Sequence, residues 1–286
     1  MRFESPATVA EAVTLLSEAT GTVYPMAGGT DLLVRLRSGF VEPDLIVDLK
    51  RIDALHTIVR EADGLRVGAA VPSAELNEHA DALAGWPGVC EATGLIGSTQ
   101  VQGRCTMVGN LCNASPAADS VPAMVAAGAV ARVVGPNGTR DVPVEEIPTA
   151  PGRTSLKKGE IIESVLLPTK PAHSGEAYLR FIPRTEMDIA VVGVGISLTL
   201  DDSGTCTDAR VGLGAVAATV LLVEDAAKAL IGTKVDGAAL DALAAACSAA
   251  ASPINDKRGT IEFRVEIAGT LARRVAKIAL ARAQQN

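Results

Sequence analysis

A paired-glycine loop, Ala27-Gly28-Gly29-Thr30-Asp31-Leu32-Leu33, follows the β-like run Val23–Met26 and opens an apolar helical pattern. Glycines allow the backbone to approach a ligand closely. Free N–H groups at the start of a helix attract anions. The order of elements is that of a loop that cradles a pyrophosphate without a lysine, but it is also that of an ordinary turn before a helix. This segment alone leaves both interpretations open.

A second segment, Gly94–Asp119, is rich in Gly, Ser, Thr and Asn and has no clear periodicity. Loops of this length in compact domains are usually functional. The polar side chains can bind a ribose, a phosphate or a heterocycle. They can equally cap local structure, with Ser115 starting the next helix and Asn113 forming an Asx turn.

Hydrophobic periodicity outside the loops predicts an α+β protein. The first domain is expected over residues 1–170, with subdomains of about 1–60 and 61–170, and the Pro- and Gly-containing stretch 168–175 is the expected linker. The C-terminal domain, 176–286, is expected to contain a three-stranded antiparallel sheet and a helical bundle. The predicted helices are residues 8–19, 81–93, 117–127 and 260–283, and the predicted strands are 23–26, 45–49, 65–69, 129–134, 139–142, 161–167, 177–183, 189–200 and 206–217. Thr8 and Glu11 have the spacing of a capping box at the start of the first helix, and Pro136-Asn137-Gly138 predicts a hairpin turn between two of the strands.

Composition argues against several classes of protein. The net charge is −7 and only 2% of residues are aromatic, which disfavours a nucleic-acid partner. Apolar runs stay below the roughly 18 residues of a membrane helix, and the N-terminus lacks a signal-peptide layout, so we expect a cytoplasmic protein without a membrane span. Five cysteines without a C-x-x-C motif and three scattered histidines do not predict a disulfide framework or a metal site.

Together, the two loops resemble those of the FAD-binding, or medium, subunits of molybdenum hydroxylases, the family of xanthine dehydrogenase and carbon monoxide dehydrogenase. The resemblance continues in order along essentially the whole chain. The segments that carry it are Ala27–Leu32, Thr106-x-x-Gly109-Asn110-Leu111, Ala114–Asp119, Tyr178–Phe181, Asp188–Ala190, Asp256-x-Arg258 and Phe263-Arg264.

The resemblance implies that both loops hold FAD, with Ile96 against the isoalloxazine ring, Asp119 accepting hydrogen bonds and Arg180 near the flavin. Aromatic residues are few, and the resemblance places Tyr178 and Phe181 nearest to the ring; we expect Tyr178 to stack on it, and if neither stacks, aliphatic groups such as Ile96 would enclose it. The implied cofactor-binding residues are Met26, Ala27, Gly28, Gly29, Thr30, Asp31, Leu32, Ile96, Thr106, Gly109, Asn110, Asn113, Asp119, Tyr178 and Arg180.

Three positions depart from the family pattern. Cys105 and Val108 stand where the second loop usually has glycine, so we expect a reshaped cradle or weaker FAD binding. Arg180 stands where lysine is common, which keeps the charge but changes its geometry.

The implied function is that of an oxidoreductase subunit without catalytic acid or base residues. It would take electrons from a small [2Fe–2S] subunit and pass them to NAD⁺ or another acceptor, while a large subunit with the molybdopterin cofactor oxidises the substrate. The expected assembly is a dimer of heterotrimers. Two alternatives stay open: a stand-alone flavin oxidoreductase of related fold, and a scaffold subunit that has lost FAD.

Overall fold

The computed structural model describes residues 1–184 and 187–286, in which helices and strands are mixed. The strands are β1 (Arg2–Glu4), β2 (Val23–Met26), β3 (Leu45–Asp48), β4 (Ile58–Glu61), β5 (Gly64–Gly68), β6 (Val130–Gly135), β7 (Gly138–Pro143), β8 (Pro148–Ala150), β9 (Arg153–Thr154), β10 (Ile161–Pro168), β11 (Ser174–Phe181), β12 (Val192–Leu200), β13 (Cys206–Gly214) and β14 (Leu221–Leu222). The α-helices are α1 (Val9–Glu18), α2 (Leu32–Arg37), α3 (Ser73–Glu78), α4 (Ala80–Gly85), α5 (Pro87–Thr93), α6 (Thr99–Gln102), α7 (Met107–Cys112), α8 (Ser120–Ala126), α9 (Glu224–Leu230), α10 (Gly237–Ala250) and α11 (Ile261–Ala283).

The N-terminal part of the chain is built on a small parallel sheet in the order β1-β3-β2. Every residue of the central strand β3 is buried, because α1 covers the sheet. The capping box predicted at the start of α1 is present: Thr8 accepts from the backbone N–H of Glu11, and Glu11 accepts from that of Ala7. Because β1, β3 and β2 run parallel, the loop that follows β2 leaves the carboxyl edge of the sheet, where α/β proteins commonly bind ligands.

The next sheet is antiparallel and has the order β4-β5-β10-β6-β7. Its hairpin β6–β7 turns at Pro136-Asn137, as the sequence predicts, with Gly135 paired to Gly138. The predicted helix 81–93 is divided into α4 and α5 at Trp86, because Pro87 cannot continue the hydrogen-bond ladder of α4. The segment 94–119, predicted as a loop, contains the short helices α6 and α7.

The C-terminal sheet is antiparallel, in the order β11-β12-β13-β14, so the structure adds the short strand β14 to the three predicted strands. The helices α9, α10 and α11 cover it, and their apolar residues share one buried cluster with the sheet. Within the described part of the chain, no helix is both long and apolar enough to cross a membrane.

Glycines allow α8 to pack closely on this C-terminal sheet. Gly195 and Gly212 are directly paired between β12 and β13, and a Cβ on them would lie 2.6 and 2.3 Å from the carbonyl oxygen of Pro122 in α8. A second connection lies at the end of β10, where the Trp86 ring donates from Nε1 to the carbonyl oxygen of Pro168, at 3.0 Å. The first contact fixes α8 on the C-terminal sheet, and the second fixes the α4–α5 junction on β10.

Candidate functional site

The first glycine loop packs directly on the second loop. A Cβ on Gly28 would lie 1.8 Å from the carbonyl oxygen of Arg104 and 3.1 Å from the Cα of Cys105. Gly29 has a φ of +76°, which favours glycine. Gly28 therefore allows a backbone contact between the loops that no other residue could make without a shift.

This loop has hydrogen-bonding capacity to spare. Among the described residues, no partner accepts from the backbone N–H groups of Gly28, Gly29, Thr30 and Asp31. Met26 is buried at the end of β2, while Ala27 to Thr30 are half-buried. Amide donors that lack a partner and lie beside a close backbone contact suit an anionic, oxygen-rich ligand.

The polar residues of the second loop are engaged in local structure. Thr106 caps α7 by accepting from the N–H of Gly109, at 2.8 Å. Asn110 accepts from both the N–H and the hydroxyl of Ser120, at 3.0 and 2.7 Å. Thr106 and Asn110 thus stabilise local structure, which is one of the two roles expected for this loop. Asn110 also fixes the start of α8 relative to α7.

Asn113 connects the second loop to the first. Its side-chain amide donates to the carboxylate of Asp31, at 3.3 Å. Asp31 precedes α2, and Leu32 is the first residue of that helix. The predicted residues from 26–32 and 106–113 therefore form one continuous group.

Cys105 and Val108 do not fill the space between the loops. Their side chains are buried, and Val108 belongs to the main apolar cluster while the Cys105 thiol contacts the Ser73 hydroxyl at 3.4 Å. Val108 thus packs in the core and the Cys105 thiol faces Ser73, while the effect of the two residues on FAD binding stays a prediction.

A buried ion pair closes the other end of the group. Arg180 in β11 donates from Nη1 to Asp119, at 2.8 Å, with side chains only 4% and 12% exposed. Burial raises the pKa of Asp119 to about 6, although Arg180 opposes this shift. Protonation of Asp119 below about pH 6 would leave the Arg180 charge uncompensated.

Two buried polar atoms beside this ion pair lack partners. Within the described residues, neither Nε of Arg180 nor the hydroxyl of Tyr178 forms a hydrogen bond. Both residues lie on one face of β11, since they are two apart in the strand. Buried groups are normally satisfied, so these atoms mark a place where a ligand would find a donor.

The aromatic side chains are less accessible than the sequence suggests. Tyr178 is 2% exposed, and its ring packs across the sheet on Gly193, where a Cβ would lie 2.7 Å from the Tyr178 hydroxyl oxygen. Phe181 makes an edge-on contact with Phe263, with ring centroids 5.7 Å apart. A flavin could stack on Tyr178 only if neighbouring groups moved, so the stacking expectation gains no support. Ile96, also buried, follows α5.

Two further residues at the site, Lys50 and Glu91, were not predicted from the sequence. Lys50 follows β3 and donates to the carbonyl oxygen of Ala27, at 3.3 Å, while pairing with Asp48. Glu91 in α5 accepts from the backbone N–H of Tyr178, at 3.0 Å. The position of Lys50 after a strand parallel to β2 is a signal that could have identified it. Nothing in the local sequence marks Glu91.

These features fit FAD. The first loop offers amide donors for a pyrophosphate, and the second lies in backbone contact with it. In β11, Arg180 Nε and the Tyr178 hydroxyl are buried polar atoms without partners among the described residues. The described residues thus form two adjoining regions: one made of residues 26–32 and 104–113, and one made of Asp119, Tyr178 and Arg180.

Comparison with known families agrees with this geometry. Residues 1–170 match the family model described as the FAD binding domain in molybdopterin dehydrogenase. Residues 177–279 match that of the CO dehydrogenase flavoprotein C-terminal domain.

Curated relatives align over nearly their whole length. The carbon monoxide dehydrogenase medium chain of Afipia carboxidovorans is 32% identical, with 99% of this chain and 97% of the relative covered. The xanthine dehydrogenase FAD-binding subunit of Escherichia coli O157:H7 is 29% identical, with 98% and 96% covered.

Solved structures share the fold. A chain of the cyanide-inactivated Cu,Mo-CO dehydrogenase superposes with a TM-score of 0.95 at 32% identity, covering 99% of this chain and 98% of that one. A chain of quinoline 2-oxidoreductase from Pseudomonas putida 86 gives 0.91 at 25% identity, with 99% and 98% covered. The chain therefore belongs to the FAD-binding medium subunits of the molybdenum hydroxylase family, and is an oxidoreductase subunit.

Proposed function

We propose that this subunit carries electrons from a [2Fe–2S] subunit to NAD⁺ or another acceptor, within a complex whose large subunit holds the molybdopterin cofactor. The medium-subunit family supports the role, and the observation that carries it here is the backbone contact between Gly28 and Arg104 beside amide groups without partners. FAD, when bound, supplies the redox chemistry. The proposal includes a cytoplasmic dimer of heterotrimers and domain limits of 1–170 and 176–286.

In this proposal the first loop binds the pyrophosphate through its backbone. Gly28, Gly29 and Thr30 donate N–H groups, Asn113 holds Asp31 away from the phosphates, and Lys50 fixes the carbonyl of Ala27. Amide donors suit this purpose because their positions are set by the fold. The remaining expected contacts in this part of the site are Met26, Leu32, Ile96, Thr106, Gly109 and Asn110.

The Arg180 side chain provides the positive charge at the flavin end of the proposed site. Asp119 holds the guanidinium in place and compensates its charge at and above neutral pH. Tyr178 contributes a hydroxyl without a partner among the described residues. The chain's own task is to orient the cofactor and set the charge around it, which requires no general acid or base.

Substitution of Gly28 by Ala tests the proposed loop. The added Cβ would meet the Arg104 carbonyl oxygen, so the loops must separate, and we expect FAD content per subunit to fall at least about tenfold. Gly103→Ala is the matched control, because Gly103 lies in the second loop with no atom within 4 Å of an added Cβ. It should retain FAD.

The readout is flavin released per purified subunit, with circular dichroism to verify folding. Full FAD content in Gly28→Ala would show that the pyrophosphate is bound elsewhere. A wild-type subunit purified with its complex but without flavin would favour a scaffold. Turnover of a small substrate by the isolated chain would favour a stand-alone flavoenzyme.

A further inference from the structure

Strand β11 lies at the edge of the C-terminal sheet, with β12 as its neighbour on one side. In an antiparallel pair, the backbone groups of alternate residues face the neighbouring strand. The N–H of Leu200 donates to the carbonyl oxygen of His173, at 2.9 Å, so His173 and every second residue after it face β12. The backbone groups of Glu176, Tyr178 and Arg180 therefore face away from the sheet, where an edge strand needs other partners.

Side chains of α5 and α11 supply two of these partners. Glu91 of α5 accepts from the N–H of Tyr178, at 3.0 Å. Arg282 of α11 donates from Nη1 to the carbonyl oxygen of Glu176, at 2.7 Å, and its Nη2 pairs with Glu91. We call Glu91 and Arg282 the edge pair. This ion pair continues the hydrogen bonding of β11 on its open side, in the place where a further strand would otherwise bind.

The connection between α5 and β11 also runs in the other direction. The carboxylate of Glu176 in β11 accepts from the backbone N–H groups of Gly88 and Val89 in α5, at 3.0 and 3.3 Å. Its other oxygen pairs with Lys170, which also donates to the carbonyl oxygen of Gly85, at 3.2 Å. Glu176 is only 2% exposed. A carboxylate of α5 therefore holds β11, a carboxylate of β11 holds α5, and each has its own cation.

The backbones of α5 and β11 lie in direct contact beside these carboxylates. A Cβ on Gly88 would lie 3.1 Å from the carbonyl carbon of Ala177 and 3.2 Å from its Cα. Because Gly88 has no side chain to separate the helix from the strand, the spacing depends on the backbones and on the carboxylates around them. Loss of the edge pair should therefore change the position of β11 relative to α5.

The flavin end of the proposed site depends on this spacing. Glu91 binds the backbone of Tyr178 itself, and Arg180 follows two residues later in the same strand. The Arg180 guanidinium meets Asp119 at 2.8 Å. Helix α5, for its part, ends shortly before Ile96, the residue expected beside the isoalloxazine ring. A shift between α5 and β11 would thus move the groups assigned to the two sides of the flavin.

We propose that the edge pair positions the flavin end of the site, by holding β11 where Arg180 and Tyr178 meet the cofactor. This inference rests on the proposed function, because it assumes that FAD is bound at those two residues. Glu91 and Arg282 are positioning residues, which act through the strand rather than by touching FAD. Side chains that are already held in place bind a ligand more tightly, because less order has to be created on binding.

The test measures the Kd for FAD of the flavin-free, full-length subunit by fluorescence titration. Glu91→Met removes the acceptor of the Tyr178 N–H and the partner of Arg282, so we expect the Kd to rise about tenfold. Glu91→Gln keeps an oxygen for that N–H and should restore much of the affinity. The side chains of the edge pair are 34% and 30% exposed, so the variants should fold.

A second variant tests whether the two residues act together. Arg282→Met should also raise the Kd for FAD, because Glu91 then loses the cation that holds it against β11. The double variant Glu91→Met, Arg282→Met should bind FAD no more weakly than Glu91→Met alone. Substitutions in one hydrogen-bonded network are not additive. A double variant whose effect is the product of the two single effects would overturn the inference, since it would show two independent residues.

Glu160→Met is the matched control. Glu160 resembles Glu91 in its contacts, since it pairs with Arg140 at 2.8 Å and accepts from the backbone N–H of Lys157, at 2.7 Å. Its partners lie outside α5 and β11. Its loss should lower the urea midpoint of unfolding to a similar extent but leave the Kd for FAD unchanged. The absorption maximum of bound flavin, which responds to the groups around the ring, should shift in Glu91→Met and not in the control.

Two further results would overturn the inference. One is a wild-type Kd and a wild-type flavin spectrum in Glu91→Met. The other is an equal rise in Kd in Glu160→Met, because FAD affinity would then merely follow stability.

FAD content of the purified wild-type complex separates this inference from the proposed function. A wild-type complex without FAD would overturn both. A wild-type complex with FAD, loss of FAD in Gly28→Ala and normal affinity in Glu91→Met would support the proposed function and overturn the positioning inference alone.

Discussion

Arg180 and Asp119 are separated by 61 positions in sequence, yet their side chains form a buried ion pair of 2.8 Å between β11 and the residue before α8. The pair joins the C-terminal sheet to the end of the second loop. A buried charge without its partner destabilises the folded state. Removing either Arg180 or Asp119 should therefore lower the free energy of unfolding, because the other residue loses its partner.

Replacing Arg180 by Met should destabilise the subunit by about 3–5 kcal/mol, because Asp119 would be left buried and unpaired. The pKa of Asp119 should rise further, since Arg180 is the group that lowers it. Urea unfolding at pH 7.5 measures the change in free energy of unfolding. Arg273→Met is the control: Arg273 pairs with Asp241 at 2.9 Å on the surface, so its loss should cost below about 1 kcal/mol. Equal losses in the two variants would contradict the prediction.

FAD affinity should increase as the pH falls from 7.5 to 5. The pKa of Asp119 is raised to about 6, so protonation below that pH removes the negative charge beside Arg180 and favours an anionic ligand. We expect the Kd for FAD to fall about two- to tenfold over this range. In Asp119→Asn the Kd should be nearly independent of pH. Fluorescence titration of flavin-free subunit checks both proteins, and the same slope in both would assign the pH effect to another group.

Gly212→Ala should destabilise the subunit by about 1–3 kcal/mol. The new Cβ would lie 2.3 Å from the carbonyl oxygen of Pro122, so α8 must move away from the sheet. Gly237→Ala is the matched control, because Gly237 begins α10 with nothing within 4 Å. Urea unfolding compares the two. A neutral result for Gly212→Ala would mean that α8 packs more loosely than the structure indicates.

Val108→Gly should not tighten FAD binding, although it restores the residue usual in the family. Val108 is 5% exposed in the core, so its loss should cost about 2–4 kcal/mol through a cavity and a helical glycine. Unfolding and FAD titration on the same sample test this. Val34→Gly controls for the helical glycine alone, because Val34 is exposed. Tighter FAD binding in Val108→Gly would show that the valine restricts the cradle.

Patterns with a strong local signal predicted much of the fold. The capping box of Thr8 fixed the start of α1, and Pro136-Asn137 fixed the turn of the β6–β7 hairpin. Strand β1 was missed, because three residues are too few for periodicity and the strand depends on pairing with β3. Helix α7 was also missed, since its N-cap residue Thr106 lies in a run of residues typical of a loop.

The candidate site was predictable only where a backbone requirement is visible in sequence. Paired glycines identify the first loop, but nothing local predicts that Gly28 contacts Arg104, because the contact depends on how two distant segments pack. The inward orientation of Val108 follows from helix α7, which the sequence did not predict, and Cys105 lies just before the N-cap of that helix. The burial of Tyr178 likewise depends on Gly193 in the neighbouring strand.

The hydrogen bond from Trp86 to Pro168 has a practical consequence. Trp86 is the only tryptophan in the chain, it is 2% exposed, and it bonds to the last residue of β10, just before the chain enters the C-terminal sheet. Its emission therefore comes from a single position in the first apolar cluster, with the Arg60 guanidinium 5.3 Å from the ring centroid. Intrinsic fluorescence of this protein is thus a label-free reporter of one apolar cluster: any change that separates the α4–α5 junction from β10 exposes the single indole to water and shifts its emission to the red.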